Sequence, residues 1–399
     1  MTYLSPNEPL TLATLAALLR GSEAVRLAPE TEPPRAASLL AEPTAATPAQ
    51  EAGHWLTALA AGTGPELPAA LVRRLLLLAA YRLGRAGAAA EPVARRLLDF
   101  YNREVWPVVY EYGSLGAGYD QVPLAHLGLP LVGLGEVNYQ GYRLAAADVL
   151  GLFGWEPPQV PPALALGLLS GSDFTLAYAT EALERAEHLL RAADAIGALS
   201  GSPIGLGLLT DVRQAIEAAC TTDAPAPASL AELLTTTIAP ASDLDHALAQ
   251  LTQVVAQVGA HAALRTTALV AQPGHLAAEP GQQVGLLALP RVAASLVQQS
   301  GPWPEANADH VPLRGAAAAQ EARRVVELAE QLVGIALVAT AQALGLREPA
   351  RRDLGPAPSP ALAQAVAAFR EHVTFAAHDR VLAPDLHRAA RFVREHAWA

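Results

Sequence analysis

Lysine is absent from this chain of 399 residues, and all 27 of its basic residues are arginine. Chemistries that need a primary amine are thereby excluded, namely Schiff-base catalysis and the lysine of a phosphate-binding loop. A GC-rich coding bias produces the same depletion. Cysteine occurs once, at Cys220, so no intramolecular disulfide framework exists, which fits a reducing, cytoplasmic setting. The surrounding AIEAACTTD carries no nucleophile motif, and Cys220 reads as an inert thiol. Aromatic residues make up only 5% of the chain, so the core must come from Ala, Leu and Val, the first two being strong helix formers. Positive charge is also scarce: the net charge is -11, and no basic stripe is available for nucleic acid. The apolar runs are broken by His126, Pro130, Glu327 or Glu330, so no membrane-spanning segment is expected. MTYLSPNEPL lacks the basic and apolar regions of a secretory signal. His372 and His378 lie six residues apart, His387 and His396 nine apart. Neither pair has the i, i+4 spacing of a helical metal site, and no metal is expected. The glycine-rich stretch 201–207 is preceded by no strand and followed by no lysine, which argues against a phosphate loop.

What is present is helical periodicity. From Gln50 to Tyr101 apolar residues recur every three or four positions, as at Leu67, Ala70, Leu71, Leu75, Leu78 and Ala79. Thr11 is a candidate N-cap for an earlier helix. Further helices are expected over 181–199, 207–220 and 320–344. In the last, Glu321, Arg323, Arg324, Glu327 and Glu330 read as the solvated edge of a bundle helix. Between Cys220 and His246 the chain is Ala/Pro/Thr-rich and reads as a linker. The densest polar cluster lies in the glycine-rich segment from Tyr112 to Gly141, which holds Tyr112, Tyr119, Asp120 and His126. A histidine beside an aspartate and phenols can move protons near neutral pH. The competing reading is structural, with Asp120 capping the helix that Pro123 opens.

That same segment, GSLGAGYDQVPLAH at 113–126 with GEVNYQG at 135–141, resembles the histidine and aromatic amino-acid ammonia-lyases, whose motifs are GSxGASGDLxPLAH and GEAxYQG. In that family an Ala-Ser-Gly tripeptide cyclises and dehydrates to a methylidene-imidazolone, the electrophile of the reaction. The matching positions here are Ala117, Gly118 and Tyr119. Glycine has no Cβ to become the methylidene carbon, and a tyrosine hinders the close backbone approach that ring closure needs. The resemblance therefore implies a lyase fold without its cofactor.

Other matching positions depart in the same direction. The family's catalytic tyrosine loop has no counterpart, since no tyrosine lies between Tyr3 and Tyr81. Ala58 and Leu59 stand where family members read the substrate side chain, and Ser170 stands where an asparagine orients substrate, with Asp173 in place of a glutamine. Asn307 and Ala308 stand where a Gln-Glu pair is catalytic. The central blocks, including the arginine that binds the substrate carboxylate, are missing around the 221–245 linker. Pro290 falls within a stretch matching a long family helix and is expected to kink it.

The expectation is an all-α protein, a long up-and-down helical bundle of the aspartase/ammonia-lyase type, with a smaller mixed N-terminal region. Residues 1–145 would form the N-terminal region with the rewritten loop, 146–220 and 246–399 the bundle, and 221–245 the linker. The resemblance implies a homo-oligomer, tetramer or dimer, with an active lyase paralogue as a possible second partner. Two functions compete: a pseudoenzyme serving as a structural or regulatory partner or small-ligand binder, with Ala58, Leu59, Ser170 and Asn307 lining the old pocket; and an enzyme of new, cofactor-independent chemistry on an aromatic or polyene-like substrate, using Tyr119, Asp120 or His126. An active aromatic amino-acid ammonia-lyase is the third.

Overall fold

The computed structural model describes residues 2–29, 50–116, 118–197, 209–222, 243–272, 274–301, 315–346 and 360–398. Ala117, Asn307, Ala308 and nearly all of the 221–245 linker lie outside the described residues.

The chain is predominantly helical, as its Ala/Leu composition requires. Strand β1 (Thr2–Leu4) pairs in parallel with β2 (Val25–Leu27) through the intervening helix α1 (Leu12–Arg20). Thr11 caps α1 as expected, its hydroxyl accepting the Thr14 N–H at 3.1 Å. Helices α2 (Gln50–Leu59), α3 (Ala69–Gly84) and α4 (Glu91–Asn102) follow. On α3 the run from Leu75 to Gly84 is buried without interruption, so this helix is enclosed on all sides. Strand β3 (Thr63–Glu66) pairs antiparallel with β5 (Tyr110–Tyr112), and β4 (Trp106–Pro107), β6 (Glu136–Tyr139) and β7 (Tyr142–Ala145) form a second antiparallel sheet. The β6–β7 turn is made by Gln140 and Gly141, both with positive φ, +50° and +82°. This is the two-residue hairpin geometry that the strand twist prefers, and it is why the Tyr-Gln-Gly sequence reverses the chain there.

Beyond the strands run α5 (Gln121–Gly128), α6 (Ala146–Phe153), α7 (Pro162–Leu169), α8 (Asp173–Gly197), α9 (Thr210–Thr221), α10 (Asp243–Val270), α11 (Leu289–Gln299), α12 (Ala316–Gly345), α13 (Pro360–His372) and α14 (Ala383–Glu395). Helices α8, α10 and α12 are 25, 28 and 30 residues long. They are the long bundle helices expected. The chain divides into two compact units, one of residues 1–181, 214–246 and 313–320, the other of residues 182–213, 247–312 and 321–399.

Two expectations are corrected. Pro290 does not kink a helix; it stands in the first turn of α11, where its missing N–H has no helical acceptor to lose and its fixed φ suits the start. Nor are the charges of α12 simply a solvated edge. Glu330 is 2% exposed and accepts from Arg185 Nε at 3.0 Å and Nη2 at 2.8 Å, and from Arg394 Nε at 2.9 Å and Nη2 at 2.7 Å. One buried carboxylate therefore ties α8, α12 and α14 together. Helix α12 is long and apolar enough to cross a membrane, yet 83% of its most apolar window is buried inside the protein.

Candidate functional site: the rewritten loop and its anchors

The loop from Gly113 to Asp120 hangs between β5 and α5, and side chains from distant elements hold it. On its leading flank, Gln320 of α12 donates its amide to the Glu111 carbonyl at 2.7 Å. At its middle, Gly116 (φ +128°) packs so closely on the chain preceding α12 that a Cβ there would lie 2.8 Å from the Gly315 Cα. Only glycine tolerates both that φ and that approach. Gly315 is itself held by its N–H donating to the Asp245 carboxylate.

The trailing flank is held by Asp120, which is fully buried. Its carboxylate accepts the Thr175 N–H at 2.9 Å, the Thr175 hydroxyl at 2.9 Å and the Ser114 hydroxyl. Ser114 Oγ in turn accepts the Gly116 N–H at 3.0 Å. Asp120 thus does not cap α5, where it makes no side-chain cap bond. It instead satisfies an orphan N–H in the first turn of α8 and stitches the loop to it. Burial pushes its carboxyl up to about 7, against the lowering effect of the Ser114 and Thr175 hydrogen bonds, and the nearby Asp173 carboxylate raises it further. The proton it holds near neutrality is sealed from solvent.

His126 belongs to a different contact. Its Nε2 accepts the Gly62 N–H at 3.0 Å, and its ring lies edge-on to Tyr110 with centroids 5.1 Å apart. An Nε2 that accepts must be unprotonated, so the ring proton is on Nδ1. Partial burial lowers its pKa in the same sense. Asp120 and His126 are separate anchors with separate partners, and the acid/base cluster suggested by their nearness in sequence does not form around them. Tyr119 is half-buried. Its N–H donates to the Gly116 carbonyl at 2.7 Å, closing a tight turn.

That turn bears directly on the family's cofactor. Ring closure requires the third residue's nitrogen to attack the first residue's carbonyl, and here that nitrogen belongs to Tyr119 and is spent on Gly116. Gly118 is half-buried with φ +80°, and a Cβ built on it would meet nothing within 4 Å. Space for a serine side chain exists; the carbon does not. The residues present do not fit a methylidene-imidazolone.

The positions matching the family's substrate contacts are likewise engaged elsewhere. Ser170 is buried, and its hydroxyl donates to Gly167 O at 3.2 Å in its own helix. Asp173, at the start of α8, takes the guanidinium of Arg82: Nε to Oδ1 at 3.1 Å and Oδ2 at 3.0 Å, Nη2 to Oδ2 at 2.6 Å. Arg82 also donates to the carbonyls of Gly167 at 2.6 Å and Leu168 at 3.1 Å, closing the exposed end of α7. Ser170, Asp173, Arg82 and Cys220 line one cavity of about 20 Å³. That holds a water molecule and no substrate. Burial pushes the Cys220 thiol up to about 12, which holds it protonated near neutral pH. On α2, Leu59 is half-buried and Ala58 is exposed rather than part of the core. Among the described side chains of α2, Leu56 is the buried one, and it meets Leu168 over Gly128.

Sequence reading missed the Arg82–Asp173 clamp and the Gln320 brace. A lone arginine inside LLLLAAYRLG was the available signal, because a charge so enclosed demands a partner.

The long helices, the small hairpin sheets and the glycine loop braced by a bundle helix define a helical ammonia-lyase or aminomutase fold. Tyrosine aminomutase from Streptomyces globisporus superimposes with a TM-score of 0.78 over 98% of this chain and 97% of that one, at 18% identity. Histidine ammonia-lyase from Trypanosoma cruzi does so with a TM-score of 0.77 over 99% and 93%, at 19% identity. The aromatic amino acid lyase family model matches residues 43–205. A histidine ammonia-lyase from Symbiobacterium thermophilum is 30% identical over 415 aligned positions, covering 84% of this chain and 80% of that protein. The chain belongs to the aromatic amino acid lyase family.

Proposed function

We propose that this chain is a pseudoenzyme of the lyase family, without the electrophilic cofactor, serving as a structural or regulatory partner or small-ligand binder. The observation that carries this reading is Gly118: at the position whose Cβ would become the electrophile there is no Cβ. Three features support it. Tyr119 N–H is committed to Gly116 O. Ser170 spends its hydroxyl on its own helix, and the cavity beside it has room only for water. The same geometry weighs against new chemistry by Asp120 or His126, since one is sealed and the other pinned to Gly62. We place the protein in the cytoplasm, as an oligomer of its own chain or with an active paralogue, using the surfaces of the long helices.

The test is an intact-mass measurement on the purified protein, together with ammonia release from histidine, phenylalanine and tyrosine. The expected result is the mass of the unmodified sequence and no turnover. A mass lower by water, or ammonia release above a heat-killed control, overturns the proposal. Copurification with an active lyase would identify the partner, whereas a clean homo-oligomer would favour self-assembly.

A further inference from the structure

A second candidate site lies far along the chain from the loop, between α13 and α14. The two helices pack together and leave a half-open cavity of about 470 Å³, within the range of small-molecule sites. Its floor is aromatic. Phe392 is buried, edge-on to Phe369 at 5.3 Å, and His396 stacks on it with centroids 4.5 Å apart and planes 15° from parallel. Trp398 holds His396 from the side at 4.8 Å and 80°, and is itself fixed by its Nε1 donating to Val393 O at 3.0 Å. Burial lowers the pKa of His396, which keeps the imidazole a neutral flat surface near neutral pH. His372 closes the far side, 5.6 Å from the Phe392 ring.

The rim carries both signs of charge. Arg388 is shared with Asp385 at 3.1 Å, but Arg391 is exposed and has no ion pair among the described residues. Glu371 and Glu395 line the same cavity. A flat ring surface, one uncommitted guanidinium and two carboxylates match the three parts of an aromatic zwitterion. A guanidinium takes a carboxylate with two parallel hydrogen bonds, and a carboxylate takes an ammonium.

We propose that this groove binds a free aromatic amino acid. Its ring lies on the His396–Phe392 stack, its α-carboxylate on Arg391 and its α-ammonium between Glu371 and Glu395. The groove is built wholly from the C-terminal helices, so the proposal stands independently of the rewritten loop.

The test is isothermal titration of the full chain with L-phenylalanine, and in parallel with phenethylamine and 3-phenylpropionate. L-phenylalanine is expected to bind with a dissociation constant on the order of 1 mM or tighter. The amine and the acid, each lacking one charge, are expected to bind at least about ten-fold more weakly. Arg391→Ala should weaken L-phenylalanine by about ten-fold or more while leaving the circular dichroism and melting curve unchanged, because Arg391 makes no ion pair or side-chain hydrogen bond among the described residues. Glu395→Gln should weaken the zwitterion and the amine but not the acid. Absence of saturable binding overturns the proposal. So does binding that Arg391→Ala leaves intact, which would put the ligand elsewhere, or binding of 3-phenylpropionate as tight as that of L-phenylalanine. None of these outcomes depends on whether the protein releases ammonia.

Discussion

Replacing Asp120 with asparagine tests the anchoring of the loop through its dependence on pH. In the folded protein burial holds the Asp120 carboxyl at about 7, whereas in the unfolded chain it titrates near 3.9. An acid whose folded pKa is raised binds more protons folded than unfolded, so stability falls as pH rises between the two values. The penalty is absent below about pH 4, grows towards pH 7 and is constant above. Between pH 5 and pH 8.5 this predicts a loss of roughly 3 kcal/mol from the wild type. Asparagine has nearly the shape of the protonated acid and no charge to desolvate. Its carbonyl can still accept the Thr175 N–H that Asp120 accepts at 2.9 Å. The assay is urea unfolding of both proteins across that pH range, read as the difference between them, because every other titrating group is common to both. Asp120→Asn should gain on the wild type by roughly 3 kcal/mol as pH rises. Parallel curves would refute the reasoning, showing either that Asp120 is not sealed or that its three donors keep it ionised at no net cost.

The buried carboxylate of α12 should show a graded response. Glu330→Ala removes the buried partner of Arg185, which keeps Glu327 at 3.3 Å, and should cost up to about 3 kcal/mol. Arg394→Ala leaves Glu330 still paired with Arg185 at 2.8 Å and should cost about 1 kcal/mol, both measured by urea unfolding. Cys220 should resist a thiol reagent in the native protein up to pH 9 and react fully in denaturant. Rapid native labelling would contradict a thiol pushed up to about 12 by burial.

Much of the architecture was legible in the residues, and the reason is that helices are coded locally. The apolar period of α3, the Thr11 cap and the Gln-Gly turn between β6 and β7 each depend on residues within one or two turns of chain. So does the central chemical point. That Gly118 has no Cβ is a matter of covalent structure, with no folding needed to read it.

Tertiary structure decided what the polar residues do. Asp120 and His126 sit six residues apart and suggest one proton-handling cluster. Folding sends the first to Thr175 on α8 and the second to Gly62, contacts 55 and 64 residues away in sequence. Pro290 inside an apolar run reads as a kink until α11 is found to begin with it. Glu330 reads as solvated until Arg185 and Arg394 converge on it from two other helices. The sequence by itself determined which bonds can form in the loop and where helices can run, because both are local properties. Only the tertiary structure decided which charged and hydroxyl groups are sealed, paired or left open to a ligand, because burial and pairing depend on partners that the linear order does not name.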